Sequence, residues 1–285
     1  METHLTIVVP AYEEAARGRS GVLNSLVASL REKTFVWELI VVDDGSSDGT
    51  PELVEQLVRR NPRVKLLRAP HCGKGYAVLA GMEEARGARI LYTDFDQATP
   101  LSEVDRLLPW FDQGFDIVVG TRGTGRPQAP LARKCISLGC MLLRRVLLGP
   151  DPIVDTQCGF KAFTRESLKS IIPGLHLYHP DNRRPIRGRR VTPGFDVELL
   201  MVGRQLGYAI RQVPVAWSYR HCSGMNLSAA VWQGLADLVR IRLARSRGKY
   251  NFAPERLPVP ARSASQQKPC DCKAARDQRQ DQAGR

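Results

Sequence analysis

Residues 38–50 read ELIVVDDGSSDGT, and this stretch decides the predicted fold. Its apolar start, residues 38–42, is typical of a strand that is buried on both faces. Two aspartates and a Gly/Ser turn follow at once, and a helical pattern begins after them. Because short apolar runs alternate with amphipathic segments throughout the first half, the pattern predicts an α/β fold with a Rossmann-like, mostly parallel sheet flanked by helices.

The same two periodicities predict the other elements. The predicted strands are residues 5–9, 38–42, 64–67, 89–93, 116–120 and 210–218. The predicted helices are residues 23–30, 53–58, 76–85, 104–111, 138–148, 163–172, 198–205 and 227–245. The second half is less regular, and a polar insert between residues 179 and 194 carries five arginines.

The composition bounds the domain count and the partners. A chain of 285 residues with 43% hydrophobic content can bury one large core or two small ones. Residues 253–285 are rich in Pro, Ser, Gln and charged residues, which predicts a disordered basic tail. The net charge is +13, from 42 basic and 29 acidic residues. This excess favours nucleic acid, anionic lipid or phosphorylated substrates, or it only keeps the protein soluble.

The cysteines and the N-terminus indicate the compartment. The seven cysteines are scattered without the paired spacing of a zinc site, and their odd number argues against a disulfide framework. The apolar run 5–9 follows the start of the chain with no basic leader, and no window of eighteen apolar residues occurs. We therefore expect a cytoplasmic protein that is not secreted and that meets a membrane only from its surface.

Acidic residues follow two of the predicted strands. Asp43 ends the strand 38–42, where its carboxylate can accept hydrogen bonds from a nucleoside, whereas Asp48 and Thr50 are expected to cap the next helix. Asp94 and Asp96 end the strand 89–93 and point the same way from extended chain. Such a pair repels itself unless a shared cation, here Mg²⁺ or Mn²⁺ on a diphosphate, relieves the repulsion. We predict a metal site at Asp94 and Asp96.

Lys74 lies between two glycines before the helix 76–85. The full GxxxxGK[ST] pattern is absent, which excludes a P-loop ATPase. Two interpretations stay open for Lys74: a charge offered to the nucleotide, or a solvated lysine at an ordinary helix start.

Five segments occur in order within the first 125 residues, and together they resemble family 2 glycosyltransferases with the GT-A fold. They are residues 8–14 (VVPAYEE), 43–50, 73–75 (GKG), 94–96 (DFD) and 120–122 (GTR). Residues 155–161 (DTQCGFK), 195–198 (FDVE) and 213–217 are similar to the dolichyl-phosphate β-glucosyltransferase branch. The resemblance extends to about residue 250. It implies one GT-A domain over residues 1–252, with a nucleotide-sugar-binding half (1–122) and an acceptor half (123–252) that ends in a basic amphipathic helix.

The resemblance also implies roles for individual residues. The donor would be bound by Pro10, Ala11, Tyr12, Glu14, Asp43, Lys74 and Asp94. Phosphates of the donor or acceptor would be bound by Arg122, Arg133, Ser137 and Lys161. The candidate catalytic residues are Asp96, Arg122 and Asp155.

The chain departs from the family pattern at several positions. Glu13 stands where Asn is usual, although Glu14 is in register. The segment 217–226 has no lysine to close over the phosphates, and Arg220 or His221 is the candidate replacement. The arginine-rich insert is longer than expected. The other histidines, including His71, are interpreted as surface or turn residues.

The predicted reaction is an inverting, single-displacement transfer of a sugar, with UDP-glucose favoured as donor and a polyprenyl phosphate as acceptor. A lipid phosphate is already an anion and needs little help from a base, whereas a hydroxyl acceptor needs one, for which Asp155 is the candidate. Open alternatives are a soluble enzyme with a hydroxyl acceptor, mannose transfer from GDP-mannose, and a basic nucleic-acid-binding protein. Acidic loops at the binding edge disfavour the last, so no nucleic acid is expected.

A membrane surface is a further candidate partner. The helix 227–245 has an apolar face formed by residues 231, 235, 238, 239 and 243 and a basic end. With the arginine-rich insert it would suit anionic lipid at the cytoplasmic face of a membrane. Alternatively, the helix packs this face on the domain and the arginines are solvated.

Overall fold

The fold is given by a computed structural model that describes residues 3–18, 21–122, 131–188, 192–218 and 227–252, and for residues 131–137 and 227 it describes the backbone alone. The predicted tail 253–285 and the residues Arg220 and His221 lie outside the described residues. None of the helices in the described part of the chain is long and apolar enough to span a membrane.

The described strands form one sheet in the order β3-β2-β1-β4-β6-β5-β7. They are β1 Leu5–Ala11, β2 Trp37–Asp43, β3 Val64–Arg68, β4 Arg89–Thr93, β5 Ile117–Thr121, β6 Phe160–Thr164 and β7 Ile210–Pro214. β1 pairs in parallel with β2 and β4, β2 with β3, and β5 with β7, whereas β6 runs antiparallel between β4 and β5. The mostly parallel sheet is therefore confirmed.

Helices cover both faces of this sheet. They are α1 Val22–Arg31, α2 Thr50–Arg60, α3 Lys74–Glu83, α4 Val104–Leu107, α5 Pro109–Asp112, α6 Leu131–Leu148, α7 Arg165–Gly174, α8 Pro193–Gln205 and α9 Leu227–Ser246, with 3-10 turns at Leu101–Glu103 and Pro180–Asn182. The single helix predicted at 104–111 is divided into α4 and α5 because Pro109 has no N–H for the helical ladder.

The sheet separates two cores. Along β1, Ile7 and Val9 point into the core that contains α1 and α2, and Val8 points into the core that contains α3, α7, α8 and α9. This alternation in a strand buried on both faces explains the continuous apolar runs of the sequence.

Two predictions for the second half are wrong in part. Residues 160–164, partly assigned to a helix, form β6, because the side chain of Thr164 accepts a hydrogen bond from the Ser167 N–H and starts α7 only at Arg165. The predicted helix 227–245 is present as α9, but its predicted single apolar face is divided. Leu238 is buried, whereas Val239 and Leu243 are exposed.

Candidate active site

The site lies where the parallel strands end. β1, β2, β4 and β5 all have their carboxyl ends at one edge of the sheet, and Ala11 is in register with Asp43 there. Such an edge is the usual ligand site of an open α/β sheet. Topology therefore brings the predicted residues of four separate segments together.

Asp43 ends β2 in a buried position with weak protein partners. Both of its carboxylate oxygens accept from the backbone N–H of Ser46, but each at 3.3 Å. Burial raises the pKa of Asp43, against the opposing hydrogen bonds from Ser46 and the charge of Arg68. A buried carboxylate with such long contacts is suited to take a better donor from a ligand, as a nucleobase N–H would be.

Asp44 has the opposite surroundings, and its role was not predicted. Its carboxylate accepts from the N–H groups of Cys72 at 2.9 Å and Gly73 at 3.0 Å and lies 2.8 Å from Nδ1 of His71. It therefore fixes the loop before α3. The sequence signal was present, since a second acid follows Asp43 directly, but its partners lie almost thirty residues away.

His71 lies in the loop before α3, within the interpretation of a surface or turn residue, but it has structural contacts that were not predicted. Its ring stacks on Tyr12 with a centroid distance of 4.1 Å, and its Nε2 lies 2.8 Å from the carbonyl oxygen of Gly188. Burial by itself lowers the pKa of His71, but the hydrogen bond to Gly188 and the charge of Asp44 outweigh it and raise the pKa. His71 thus connects the predicted donor residue Tyr12 to the arginine-rich insert.

The loop after β1 is held by the start of α2. The Oγ1 of Thr50 accepts from the N–H of Glu14 at 2.9 Å, and Asp48 accepts from the N–H groups of Thr50 and Ala16. Asp48 and Thr50 are therefore structural, but the expected cap is wrong in detail: Gly49 is the N-cap of α2 and has no side-chain cap bond, and Thr50 is the first residue of the helix. Glu14 itself is buried and forms an ion pair with Arg17.

The end of β1 forms the wall of the site beside this loop. Pro10 and Ala11 are buried, and Tyr12 is half-buried. Glu13, where the family has Asn, has a positive φ of 55° and accepts from the N–H and the hydroxyl of Ser47. An acidic side chain at this position therefore joins the first loop to the second.

The acids at the end of β4 face a lysine. The Nζ of Lys74 lies 2.5 Å from Oδ1 of Asp94, and its side chain is 41% exposed at the start of α3, so the binding of Lys74 to the nucleotide stays a prediction. Burial opposes the charge of Lys74, but Asp94, Asp196 and Asp96 raise its pKa above the ordinary range. Asp96 is half-buried, and its Oδ1 accepts from the N–H of Ala98 at 3.1 Å. The charge of Lys74 therefore already interacts with Asp94, Asp96 and Asp196.

Asp94 is also fixed from the other side. Its N–H donates to the carbonyl of Gly159, and a Cβ added at Gly159 would lie 2.1 Å from Oδ2 of Asp94. Gly159 precedes β6, so the antiparallel strand between β4 and β5 brings the segment 155–161 against the predicted metal-binding acid.

Arg122 and Asp155, which were predicted in separate roles, form a pair. Nε of Arg122 donates to Oδ2 of Asp155 at 2.8 Å and Nη2 donates to Oδ1 at 2.7 Å, in the two-pronged geometry of strong ion pairs. The guanidinium carbon also lies 5.8 Å from the centre of the Trp217 ring. Although burial opposes it, the bonds to Asp155 raise the pKa of Arg122.

Lys161 does not reach the surface, which corrects its assignment as a phosphate ligand. Its side chain is wholly buried, and Nζ donates to Asp196 at 2.6 Å, to the hydroxyl of Tyr92 at 2.7 Å and to the carbonyl of Cys158 at 2.5 Å. A lysine has three donors, and these contacts use all of them. Lys161 therefore stabilises the floor of the site.

Arg133 and Ser137 both belong to α6, which begins seven residues before the predicted helix 138–148, but only the backbone of this part of the helix is described. Their predicted contacts with phosphate stay predictions. Among the described residues, no group of three or more His, Cys, Asp or Glu side chains is arranged to hold a metal. Asp94 and Asp96 are the candidate pair of ligands, with hard oxygen donors of the kind that Mg²⁺ and Mn²⁺ prefer.

Comparison with known proteins agrees with the resemblance found in the sequence. The family model described as Glycosyl transferase family 2 matches residues 6–172. The chain is 35% identical over 258 residues to the dolichyl-phosphate beta-glucosyltransferase ALG5C of Trichomonas vaginalis, covering 85% of this chain and 72% of that protein. It is 31% identical to the dolichyl-phosphate beta-glucosyltransferase of Dictyostelium discoideum, covering 84% of this chain and 74% of that protein.

Solved structures show a similar fold. Glucosyl-3-phosphoglycerate synthase from Mycobacterium tuberculosis, in complex with UDP, matches with a TM-score of 0.58 at 20% identity, covering 84% of this chain and 80% of the synthase. The same synthase with Mn²⁺, UDP and glucosyl-3-phosphoglycerate gives a TM-score of 0.52 at 20% identity, covering 84% and 79%. At this identity the likeness concerns the fold alone, and it confirms the GT-A type.

Proposed function

The chain belongs to glycosyl transferase family 2 and is a glycosyltransferase, and from this premise we propose that it transfers glucose from UDP-glucose to a polyprenyl or dolichyl phosphate. The observation that carries the proposal is the convergence of Asp43, Lys74, Asp94, Asp96 and Arg122 at one edge of the sheet. Relatives that cover most of the chain are named for transfer of glucose to dolichyl phosphate, which supports the choice of sugar and acceptor.

The first half would bind the donor. Asp43, with its long contacts to Ser46, would accept from the nucleobase, and Pro10, Ala11 and Tyr12 would form the wall beside it. Glu14 would act indirectly, because its side chain pairs with Arg17 and its N–H is bound to Thr50. Lys74 would exchange part of its contact with Asp94 for the charge of the diphosphate.

A divalent metal fits the end of β4. Asp94 and Asp96 would supply two carboxylate ligands, and oxygens of the diphosphate would complete the set. The bound metal would stabilise negative charge on the leaving UDP. Both carboxylates are half-buried, and both interact with the charge of Lys74. This position supports a metal-binding role over a purely structural one.

The acceptor half would position an anion. An oxygen of the lipid phosphate would bond to the anomeric carbon as the bond to UDP breaks, and UDP would leave with the electron pair. Arg122 would hold this phosphate near the donor, with Arg133 and Ser137 on α6 beside it. Asp155 would orient Arg122 through its paired hydrogen bonds, and Lys161 would stabilise the floor through Asp196.

A hydroxyl acceptor is the weaker alternative. It would need a base, and both oxygens of the candidate Asp155 accept hydrogen bonds from Arg122. A phosphate acceptor needs no base, so the Arg122–Asp155 pair favours it.

The proposed place of action is the cytoplasmic face of a membrane, because a long polyprenyl chain resides in a bilayer. Cys72, Cys140 and Cys158 are free thiols, as expected in a reducing compartment. The protein would associate with the bilayer from its surface.

A transfer assay tests the proposal. The purified full chain is incubated with UDP-glucose or GDP-mannose, with Mg²⁺, Mn²⁺ or a chelator, and with polyprenyl phosphate, and lipid-linked sugar is measured. We expect lipid-linked sugar from UDP-glucose with metal, but none from GDP-mannose and none with the chelator. Product from GDP-mannose and not from UDP-glucose would refute glucose as the transferred sugar. Metal-dependent release of UDP without lipid product would refute the lipid phosphate as the acceptor.

A further inference from the structure

Two helices of the acceptor half expose large apolar side chains. On α6 these are Leu138, Leu142 and Val146, with 61%, 61% and 72% of their surface exposed. They are spaced four residues apart and so share one side of the helix. On α9 they are Trp232, Val239 and Leu243, of which Trp232 is 70% exposed. We call these six residues the α6–α9 surface.

The exposed side chains are not the ones that hold the helices in place. α9 packs into the core through Leu238, Ile241 and Ala244. α6 and α9 contact each other, and Nη1 of Arg245 donates to the carbonyl of Leu148 at 2.7 Å, so their carboxyl ends lie together. Folding therefore leaves the α6–α9 surface without an intramolecular use among the described residues.

The charges on these helices have one sign. The sequence of α6 contains no Asp or Glu, and Asp237 is the only acid in α9. Asp237 is buried and accepts from the hydroxyl of Tyr178 at 2.8 Å. Exposed arginines, by contrast, accompany the apolar stripes: Arg145, Arg242 and Arg247. A partner of this surface must be apolar and anionic together.

The surface is tied to the acceptor side of the site. Arg144, on the buried side of α6, donates to the carbonyl of Ile153 at 2.5 Å, two residues before Asp155. Asp155 in turn pairs with Arg122. α6 also begins at Leu131, within ten residues of Arg122. The α6–α9 surface is therefore connected, through α6, to the segments that carry the phosphate-binding residues.

We propose that the α6–α9 surface docks onto an anionic lipid bilayer, with the six apolar side chains in the acyl boundary and Arg145, Arg242 and Arg247 against the head groups. This inference rests on the proposed function, because a lipid acceptor gives the docking its purpose. Apolar burial and head-group attraction combine in such binding, and the rings of tryptophan favour the boundary between water and lipid. The arginine-rich insert, which the sequence offered as a second contact, is not required.

A second copy of the chain explains the surface less well. In a two-fold dimer the same patch meets itself, so Arg145, Arg242 and Arg247 would face a partner patch that offers no exposed carboxylate from α6 or α9. An anionic bilayer satisfies the same charges.

Co-sedimentation with vesicles tests the docking. The full chain is mixed with phosphatidylcholine vesicles, with and without phosphatidylglycerol, at low and high salt. The variant Leu142→Glu/Val146→Glu should bind about tenfold or more weakly, because two charges enter the acyl boundary. Arg242→Gln/Arg247→Gln should lose on the order of tenfold on the anionic vesicles alone. The control Asn24→Glu/Ala28→Glu adds the same charges at the same spacing on exposed positions of α1 and should bind like the wild type.

Three results would overturn the docking: wild type that does not bind anionic vesicles at low salt, a Leu142→Glu/Val146→Glu variant that binds as the wild type does, or light scattering that shows this variant converting a dimer to a monomer. Circular dichroism confirms that the variants are folded.

Acceptor length separates this inference from the proposed function. Transfer to a short, water-soluble isoprenyl phosphate should be unchanged in Leu142→Glu/Val146→Glu, while transfer to a long polyprenyl phosphate in vesicles falls. Wild type that transfers to neither acceptor, yet loses vesicle binding through this variant, would refute the function and support the docking.

Discussion

The acids at the end of β4 and a set of buried acids in the second half are placed in opposite ways. Asp94 and Asp96 are half-buried at the sheet edge, where their strongest described charge partner, Lys74, lies in the site with them. Three acids of the second half are instead buried and bound by groups of the scaffold: Asp196, Glu198 and Asp237.

Glu198 shows what this second arrangement achieves. Its two oxygens accept from the N–H groups of His176, Leu177 and Tyr178 at 2.6–2.8 Å and from the hydroxyl of Tyr250. A charge satisfied in this way stabilises the fold and is not open to a ligand. Burial alone therefore does not separate binding carboxylates from structural ones, since Asp43 is also buried. What differs is the partners: the N–H of Ser46 reaches both oxygens of Asp43 only at 3.3 Å.

The largest expected effect tests the β4 acids as ligands. Asp96→Ala should lower transfer by about a thousandfold or more, because charge on the leaving diphosphate loses its stabilisation. The thermal midpoint should change little by comparison, since Asp96 is half-buried at the edge of the sheet and does not belong to its core. Steady-state assays across a titration of Mn²⁺ measure the loss.

Asp181→Ala is the matched control for Asp96→Ala. Asp181 is a well-exposed acid whose described charge partner is the neighbouring His179. Its transfer rate should be unchanged. Full activity of Asp96→Ala, with metal still required, would remove Asp96 from the metal site.

The next largest effect tests the buried acids as structure. Lys161→Met leaves Asp196 buried without its cation, which should cost about 3–5 kcal/mol in the free energy of unfolding. Urea denaturation measures it. The double variant Lys161→Met/Asp196→Asn removes both charges and should be more stable than Lys161→Met alone. If both variants lose stability equally, the pair is not coupled, and Lys161 stabilises the fold through Tyr92 and Cys158 instead.

Gly159→Ala tests whether the segment before β6, in the second half, holds Asp94 of the first half in its position. The new Cβ would meet Oδ2 of Asp94 at 2.1 Å, so the carboxylate must move. A displacement of this size should lower transfer by about a hundredfold. The apparent affinity for Mn²⁺ should fall with it, which a purely structural defect would not cause.

The control for Gly159→Ala is Gly139→Ala, where a Cβ meets nothing within 4 Å. We expect wild-type transfer from it. Normal metal affinity in Gly159→Ala would show that Asp94 does not need the position described.

The first half was predictable because its signals are local. Apolar runs gave β1 to β5, and the acids that follow β2 and β4 were assigned to the sheet edge from position alone. The second half depends on distant partners. Lys161 lies 69 residues from Tyr92 and 35 from Asp196, and Arg122 lies 33 residues from Asp155. No local pattern shows that a conspicuous lysine and a candidate base are already bound to other protein groups.

The smallest expected effect concerns His71 and Asp44. Asp44 lies in the first half, but like the buried acids of the second half it is bound by other protein groups. Both ring nitrogens of His71 face acceptors at 2.8 Å, Asp44 on one side and Gly188 on the other, which requires the doubly protonated ring. Because the folded pKa of His71 is raised, this stabilisation is complete below the unfolded pKa of about 6.5 and is lost as the pH rises through the folded value. We expect a loss of about 1 kcal/mol, one hydrogen bond, in unfolding experiments carried from about pH 6 upward through the folded pKa. His71→Asn, whose side chain does not titrate, should lack this component, so the wild-type advantage over it should narrow with rising pH. An advantage that stays constant would mean that the ring is neutral throughout and that the loop is held by the Cys72 and Gly73 N–H groups alone.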